Sequence, residues 1–154
     1  MIRHLGANFH FIGPEVDARW YDAYLAGRDQ AVRLAIVDAA CNRIIGCTYL
    51  TDVHRINRSA EFSILIGEPE YWSRGYGTEA ARVMLAHAFD DLNLRRVYLT
   101  VLAENARAVR LYERVGFTRE GWLREAVFKE GRYRDVLAMA ILEPEYRRVR
   151  CGAQ

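Results

Sequence analysis

The chain has 154 residues, of which 51% are hydrophobic and 27% are charged, and its formal net charge at pH 7 is +2. This length and composition predict one ordered globular domain over residues 1–154. So small a net charge gives no electrostatic reason to expect a nucleic-acid partner. The sequence has no apolar run long enough for a membrane span and no signal-peptide pattern. We therefore expect a cytoplasmic protein without a nucleic-acid or membrane partner.

The cysteines Cys41, Cys47 and Cys151 match no metal-ligand spacing. An odd number of cysteines fits a chain kept reduced inside the cell. We expect neither a bound metal nor a disulfide.

The first half of the chain predicts a helix and then three strands. Pro14 suits the first turn of a helix that continues to about Ala26, where Gly27 can end it. The strands are an antiparallel hairpin, 32–37 and 43–51, and a third strand, 59–66. Glu61 lies inside the third strand, where a carboxylate is unusual. It either faces solvent or pairs with an arginine, or it is a buried base, and the sequence leaves these interpretations open.

Residues 71–80 join the third strand to the next helix through a turn that contains Gly75 and Gly77. The first turn of a helix has unpaired N–H groups and a partial positive charge, so this arrangement can hold an anion. The glycines remove side chains where a phosphate would approach the backbone, and Arg74 adds a positive charge. The turn is neither a GxGxxG fingerprint nor a P-loop. By itself it fits a simple chain reversal equally well.

The second half of the chain mixes helices and strands without strict alternation. The predicted elements are a helix from Gly75 to about Leu92, a strand at 96–102, a short helix at 106–115, a strand at 117–122 and a hairpin of strands 126–129 and 133–142. This order predicts an α+β fold with a mixed, mostly antiparallel sheet flanked by helices.

Residues 104–117 read ENARAVRLYERVGF. This segment resembles the Asn-x-x-Ala-x-x-Leu-Tyr-x-x-x-Gly-Phe motif of the GNAT superfamily of acetyl-CoA-dependent N-acetyltransferases. The turn at 72–77 resembles the coenzyme A loop of the same family, Gln/Arg-x-x-Gly-x-Gly/Ala. Further likeness at 60–66, 77–80 and 120–136 is similar to the RimJ/RimL branch, which shares much of this pattern with spermidine and amino-sugar-nucleotide acetyltransferases.

Two features depart from the family pattern. Trp72 stands at the first position of the loop, where the family has Gln or Arg. The family also has a strand and a helix ahead of the segment that matches residues 14–27, whereas only residues 1–13 precede it here. We therefore expect a shortened N-terminal part. Either this front is reduced, or a partner subunit covers the exposed strand edge in a homodimer.

The resemblance implies direct transfer of an acetyl group from acetyl-CoA, a co-substrate, to an amine. It implies that Tyr112 is the general acid that protonates the leaving thiolate, and Glu61 is the best candidate for the general base. It also implies a set of coenzyme-binding residues: Ile64, Leu65 and Ile66 through their backbone, Arg74, Gly75, Tyr76, Gly77 and Thr78 at the pyrophosphate, and Asn105 and Arg107 after the fourth strand. Arg107 could equally be exposed to solvent.

The identity of the acceptor stays open at this level. A protein α-amine with a pKa near ~8 is easier to deprotonate than a polyamine nitrogen near ~10.4, and the acidic residues at the front of the chain are matched by arginines. We therefore expect a protein N-terminal amine of the ribosomal-protein type or a small-molecule amine. A polyamine such as spermidine, or an amino-sugar nucleotide, is the alternative. A non-catalytic coenzyme A-binding module is a distant one, because it would not need Tyr112.

Overall fold

A computed structural model describes residues 14–27 and 30–151. Its elements in chain order are α1 (Pro14–Ala26), β1 (Val32–Asp38), β2 (Arg43–His54), β3 (Ser59–Ile66), α2 (Tyr76–Ala86), β4 (Arg96–Leu102), α3 (Ala106–Arg114), β5 (Thr118–Lys129), β6 (Arg132–Leu142) and α4 (Glu143–Cys151). A short 3-10 turn, Pro69–Tyr71, precedes α2, and a π turn, His87–Asp91, follows it. No helix in these ranges is long and apolar enough to cross a membrane.

The strands form one six-stranded sheet in the order β1-β2-β3-β4-β6-β5. Every neighbouring pair is antiparallel except β3 and β4, which are parallel. The predicted fold class, a mixed and mostly antiparallel sheet flanked by helices, is confirmed. The predicted shortening concerns residues 1–13, which lie outside the described residues.

The sheet divides between β3 and β4. These strands pair only where residues 59–61 face residues 96–98. Beyond that point β3 stays paired with β2 as far as Ile66, and β4 stays paired with β6 as far as Leu102. Because each strand keeps its other neighbour, the two halves of the sheet can separate without unpaired backbone over their whole length, and a cleft opens between them.

The main core lies on the face of the sheet that α2 and α3 cover. Alternate residues of β3 and β4 point to this face, as strand geometry requires, and pack with the apolar side of α2. The central members are Ala60, Phe62, Val97, Leu99, Met84 and Leu85, each at most 2% exposed. On β1 and β2, Arg33 contacts α1, with its guanidinium 5.3 Å from the Trp20 ring centroid and 5.6 Å from that of Tyr24.

Two sequence expectations for the C-terminal part were wrong. The separate strands predicted at 117–122 and 126–129 are one strand, β5, whose register against β6 shifts between Leu123 and Val127. Glu125 has φ +52° in this irregular stretch, so the alternation of side chains that marks a strand is broken there. The helix α4 was not expected, because it is short and polar. It begins with Glu143 and Glu145, and Glu145 accepts a hydrogen bond from the Leu142 amide at 2.8 Å.

Candidate active site

The cleft between β3 and β4 contains a cavity of about 380 Å³. Its walls are the C-terminal half of β3 with the loop that follows, and the end of β4 with α3. Nine of the twelve predicted site residues border it: Ile64, Leu65, Ile66, Gly75, Gly77, Thr78, Asn105, Arg107 and Tyr112. The other three, Glu61, Arg74 and Tyr76, do not. The sequence prediction therefore names most of one contiguous surface.

The cavity carries positive charge. Arg107, Arg110 and Arg114 all border it from α3, and no aspartate or glutamate is among the described residues that line it. An arginine-lined cleft attracts phosphate groups because the guanidinium is always charged and presents several donors.

The N-terminus of α2 forms one end of this surface. Gly75 is the residue before the helix, and its φ of +96° is a left-handed conformation that glycine adopts without strain. Its carbonyl accepts hydrogen bonds from Thr78 at 2.9 Å and Glu79 at 3.0 Å. The amides of Tyr76 and Gly77 precede these first bonded amides, so they have no partner within the helix. A Cβ on Gly75 would meet nothing within 4 Å, which leaves open space beside these donors.

Gly77 has a second reason to be glycine that the sequence did not suggest. It is buried, and a Cβ there would lie 2.7 Å from Cδ1 of Leu111 on α3. The missing side chain therefore allows α2 and α3 to pack closely. The expectation that it makes room for a phosphate stays a prediction.

The side chains of Arg74 and Tyr76 turn toward Tyr71 instead of the cavity. The Arg74 guanidinium lies 5.8 Å from the Tyr71 ring centroid and donates to the Glu70 carbonyl at 3.4 Å. The Tyr76 ring packs edge-on against Tyr71 at 5.3 Å. In this arrangement Tyr76 offers the cleft its backbone amide only.

Asn105 caps the N-terminus of α3 at the other wall. Its Oδ1 accepts a hydrogen bond from the Ala108 amide at 3.2 Å, and its carbonyl accepts one from Val109 at 3.0 Å. A capping asparagine satisfies an otherwise unpaired donor of the helix. Its side-chain NH₂ group stays available to a carbonyl of a ligand in the cleft.

Tyr112 lies on the inner side of α3 and is 7% exposed. Its ring meets Phe62 edge-on at 6.2 Å and Phe117 at 5.8 Å. Burial raises the pKa of Tyr112 to about 12, so the phenol holds its proton at neutral pH. A protonated hydroxyl on the cavity wall is what a general acid requires.

Glu61 lies where β3 and β4 begin to separate, in register with Thr51 on one side and Tyr98 on the other. Its side chain alternates with that of Phe62 and so points to the opposite face of the sheet from Tyr112. Burial, with a smaller contribution from the charge of Asp52, raises its pKa above the usual value. Tyr98 also has a raised pKa, from burial first and then from Asp52 and Glu61.

Two residues of this region were not predicted as site residues. Asp52 has φ +49° at an irregularity of β2, and nothing in the sequence pattern places it beside Glu61. Trp72 borders the cavity and stacks on Arg107. Its departure from the loop pattern was the signal that could have identified it. No group of three or more His, Cys, Asp or Glu residues within the described ranges is placed to hold a metal ion.

Comparison with known proteins identifies the class as acetyltransferases. Residues 10–118, more than half of the chain, match the acetyltransferase (GNAT) domain. The chain is 42% identical over 118 residues to spermidine N(1)-acetyltransferase of Vibrio cholerae serotype O1, covering 77% of this chain and 68% of the relative. It is 35% identical over 126 residues to the enzyme of the same name from Escherichia coli K12, covering 82% and 66%. The chain thus spans about two thirds of the length of these relatives.

The solved structures agree. The crystal structure of the Vibrio cholerae spermidine N-acetyltransferase in complex with CoA and spermine has a TM-score of 0.84 and 35% identity, and the match covers 91% of this chain and 81% of that one. The chain therefore belongs to the GNAT family and carries its acetyl-CoA-dependent N-acetyltransferase fold. Membership of the RimJ/RimL branch stays a prediction.

Proposed function

We propose that this enzyme acetylates a primary amine of a polyamine, the acceptor that the sequence analysis gave as the alternative to a protein N-terminus. The supporting observation is the carboxylate pair Asp52 and Glu61 at the point where the strands separate. Neither carboxylate forms an ion pair or a hydrogen bond within the described chain. The names of the two similar enzymes, both spermidine N(1)-acetyltransferases, favour the same acceptor.

The earlier argument against a polyamine relied on the balance of charges along the front of the chain. That balance says nothing about which carboxylates lack a partner. Asp52 and Glu61 come from different strands, and the fold brings them together without an arginine between them. A polyamine carries several ammonium groups, so one carboxylate can attract a charge while the other serves the reacting nitrogen.

The reacting nitrogen must lose its proton before it attacks the thioester. For an amine with a pKa near ~10.4 this costs about 4.6 kcal/mol at pH 7. Glu61, whose pKa is raised by burial, is a better proton acceptor than an ordinary carboxylate and takes the proton directly or through a water. The new C–N bond forms as the C–S bond breaks, and the thiolate leaves.

Tyr112 supplies the proton for that thiolate. A thiol has a pKa of ~8.5, so transfer from a phenol with a pKa of about 12 is uphill by roughly 5 kcal/mol when the two groups are compared at rest. Tyr112 therefore acts as the C–S bond breaks, while charge develops on sulfur. The α2 N-terminus, the backbone of 64–66, Asn105 and Arg107 hold the coenzyme, and the cavity and its charge fit such a ligand.

Thiol release from acetyl-CoA tests the proposal. The acceptors are spermidine, spermine, a peptide with N-terminal Ala or Ser, an amino-sugar nucleotide, and buffer alone. We expect kcat/KM for spermidine to exceed that for the peptide by about a hundredfold or more, equivalent to about 2.7 kcal/mol. Asp52→Asn should raise the KM for spermidine more than the KM for acetyl-CoA. Turnover with the peptide and not with polyamines would refute the proposal, and binding without turnover would favour a non-catalytic module.

We further propose that the enzyme is a homodimer or a larger assembly of identical subunits in the cytoplasm. The hairpin of β5 and β6 exposes Trp122, Phe128 and Tyr133 at 57%, 56% and 62% at one edge of the sheet, an unusual amount of aromatic surface for a free edge. The cysteines are free thiols, as is typical of the cytoplasm. A monomer by light scattering at micromolar concentration would contradict the assembly.

A further inference from the structure

Trp72 and Arg107 join the two walls of the cleft. Trp72 belongs to the loop after β3, and Arg107 to the first turn of α3. The centre of the Arg107 guanidinium lies 3.8 Å from the centroid of the indole ring. This is stacking distance, and the tryptophan face attracts a cation more strongly than any other aromatic face. Both side chains border the cavity.

The indole is held in place from the other side. Its Nε1–H donates to the carbonyl of Ile66 at 2.9 Å, and Ile66 is the last residue of β3. The Trp72 amide donates to the Pro69 carbonyl at 3.0 Å, which closes the short turn before the loop. The ring orientation is thus fixed by two hydrogen bonds before Arg107 is considered.

Arg107 has no counter-ion. Within the described chain it forms no ion pair and no hydrogen bond, and the Trp72 ring is its recorded contact. Stacking leaves the edge of the guanidinium, which carries its five N–H donors, free of protein partners. A planar cation fixed at its face and free at its edge is prepared for a phosphate, which it can bind through two parallel hydrogen bonds.

We infer that Trp72 is a positioning residue that presents the Arg107 guanidinium to a phosphate group of the coenzyme. The inference rests on the proposed function, because it concerns the acetyl donor site. Trp72 stands where the family loop has Gln or Arg, side chains with donors of their own. In this chain the donors come from α3, and the tryptophan supplies the surface that orients them.

The α2 N-terminus and Arg107 lie on different walls of the cleft, so they can bind different phosphates. Acetyl-CoA and its 3′-dephospho form distinguish the candidates. If Arg107 binds the 3′-phosphate, its replacement will weaken acetyl-CoA and leave the dephospho form unchanged. If it binds the pyrophosphate, both ligands will weaken alike. Either result supports a phosphate contact.

A double-mutant cycle tests whether Trp72 acts through Arg107. Calorimetric Kd values for CoA are measured for Trp72→Ala, Arg107→Ala and the double variant. Arg107→Ala should weaken binding about tenfold to a hundredfold. Trp72→Ala should weaken it less, and the double variant should be no worse than Arg107→Ala alone. Arg107→Lys keeps the charge but not the planar stack, so it should recover only part of the loss. Arg82→Ala, an exposed arginine on α2, is the matched control and should leave Kd unchanged.

Losses that multiply in the double variant, or a Trp72→Ala enzyme with unchanged Kd, would overturn the inference. Trp72→Phe keeps an aromatic face and guards against misfolding, and its Kd should lie between those of the native protein and Trp72→Ala. Fluorescence gives a second readout, since the chain has three tryptophans. In a Trp20→Phe/Trp122→Phe background, CoA should change the emission of Trp72, and Arg107→Ala should remove most of that change. Because CoA binding needs no acceptor, these results do not depend on which amine is acetylated.

Discussion

The Tyr112 hydroxyl forms no hydrogen bond within the described chain, although the ring around it is packed on Phe62 and Phe117. Removing it therefore leaves no buried partner unsatisfied. We expect Tyr112→Phe to lower kcat by about 10²- to 10⁴-fold, the range of a general acid. The Kd for CoA and the melting temperature should stay near those of the native protein. Calorimetry and thermal unfolding check these two quantities, and an unchanged kcat would assign the acid elsewhere.

The pH dependence of activity should report Glu61. Its pKa is raised by burial first and by Asp52 second, and the base works only when it is deprotonated. Activity that depends on it is therefore lost as pH falls through this raised pKa. Asp52→Asn removes the neighbouring negative charge, so the pKa of Glu61 should fall and the acid limb of kcat/KM should move to lower pH.

The matched control for this experiment is Asp22→Asn, an exposed aspartate on α1 that does not contribute to the pKa of Glu61. Its profile should coincide with that of the native enzyme. Glu61→Gln should abolish the acid limb altogether and lower kcat. If the limb stays at the same pH in Asp52→Asn, the group that titrates is not Glu61.

The sequence predicted the coenzyme surface better than the acceptor surface. The loop at 72–77 and the segment 104–117 are local motifs, so the residues that they bring to the cleft can be named without knowing the fold. Asp52 and Glu61 come from separate strands and meet only because β2 and β3 are in register. Trp72 could be recognised as unusual, but its partner Arg107 belongs to another wall, and only the tertiary structure joins them.

Among the strands, β2 and β3 approach each other most closely at Gly46. A Cβ there would lie 2.1 Å from the Leu65 carbonyl oxygen and 3.0 Å from the Ile66 Cα, both backbone atoms that cannot rotate away. We expect Gly46→Ala to destabilise the protein by about 2 kcal/mol or more, because the strands must separate. It should also raise the Kd for CoA, since Leu65 and Ile66 border the cavity. Urea unfolding and calorimetry measure the two effects.

Gly121→Ala provides the comparison, because a Cβ at Gly121 meets nothing within 4 Å. This variant should unfold within about 0.5 kcal/mol of the native protein. Equal stabilities for the two variants would mean that the β2–β3 approach is not a constraint. The contrast separates a close backbone contact from a general preference for glycine in strands.

The order of the elements followed from periodicity, but their continuity and pairing did not. The hydrophobic alternation of β3 and β4 predicts two buried strands with the observed bounds. It cannot predict that they pair over three residues and then separate, because that depends on which outer neighbours, β2 and β6, they keep. In β5 the irregular stretch before Val127 interrupts the alternation, so one strand resembled two.

The separation of β3 from β4 has a consequence for the stability of the whole molecule. The two halves of the sheet are joined directly along three residue pairs, and a ligand in the cleft contacts both halves. CoA binds the folded chain and not the unfolded one, so at a hundred times its Kd it should add about 2.7 kcal/mol to the free energy of unfolding. For a protein of this size that corresponds to a rise in Tm of about 5–10 °C.

Hydrogen exchange separates this linkage from general stabilisation. Amides at the C-terminal end of β3 and in the first turn of α3, which border the cavity from opposite sides, should gain protection together when CoA binds. Adenosine 3′,5′-bisphosphate lacks the pantetheine arm, so it should protect the first turns of α2 and α3 but not the amides of Ile64 and Leu65. Protection confined to one wall with intact CoA would contradict a ligand that spans the cleft. It would leave the separation of the strands without the role in coenzyme binding argued for it.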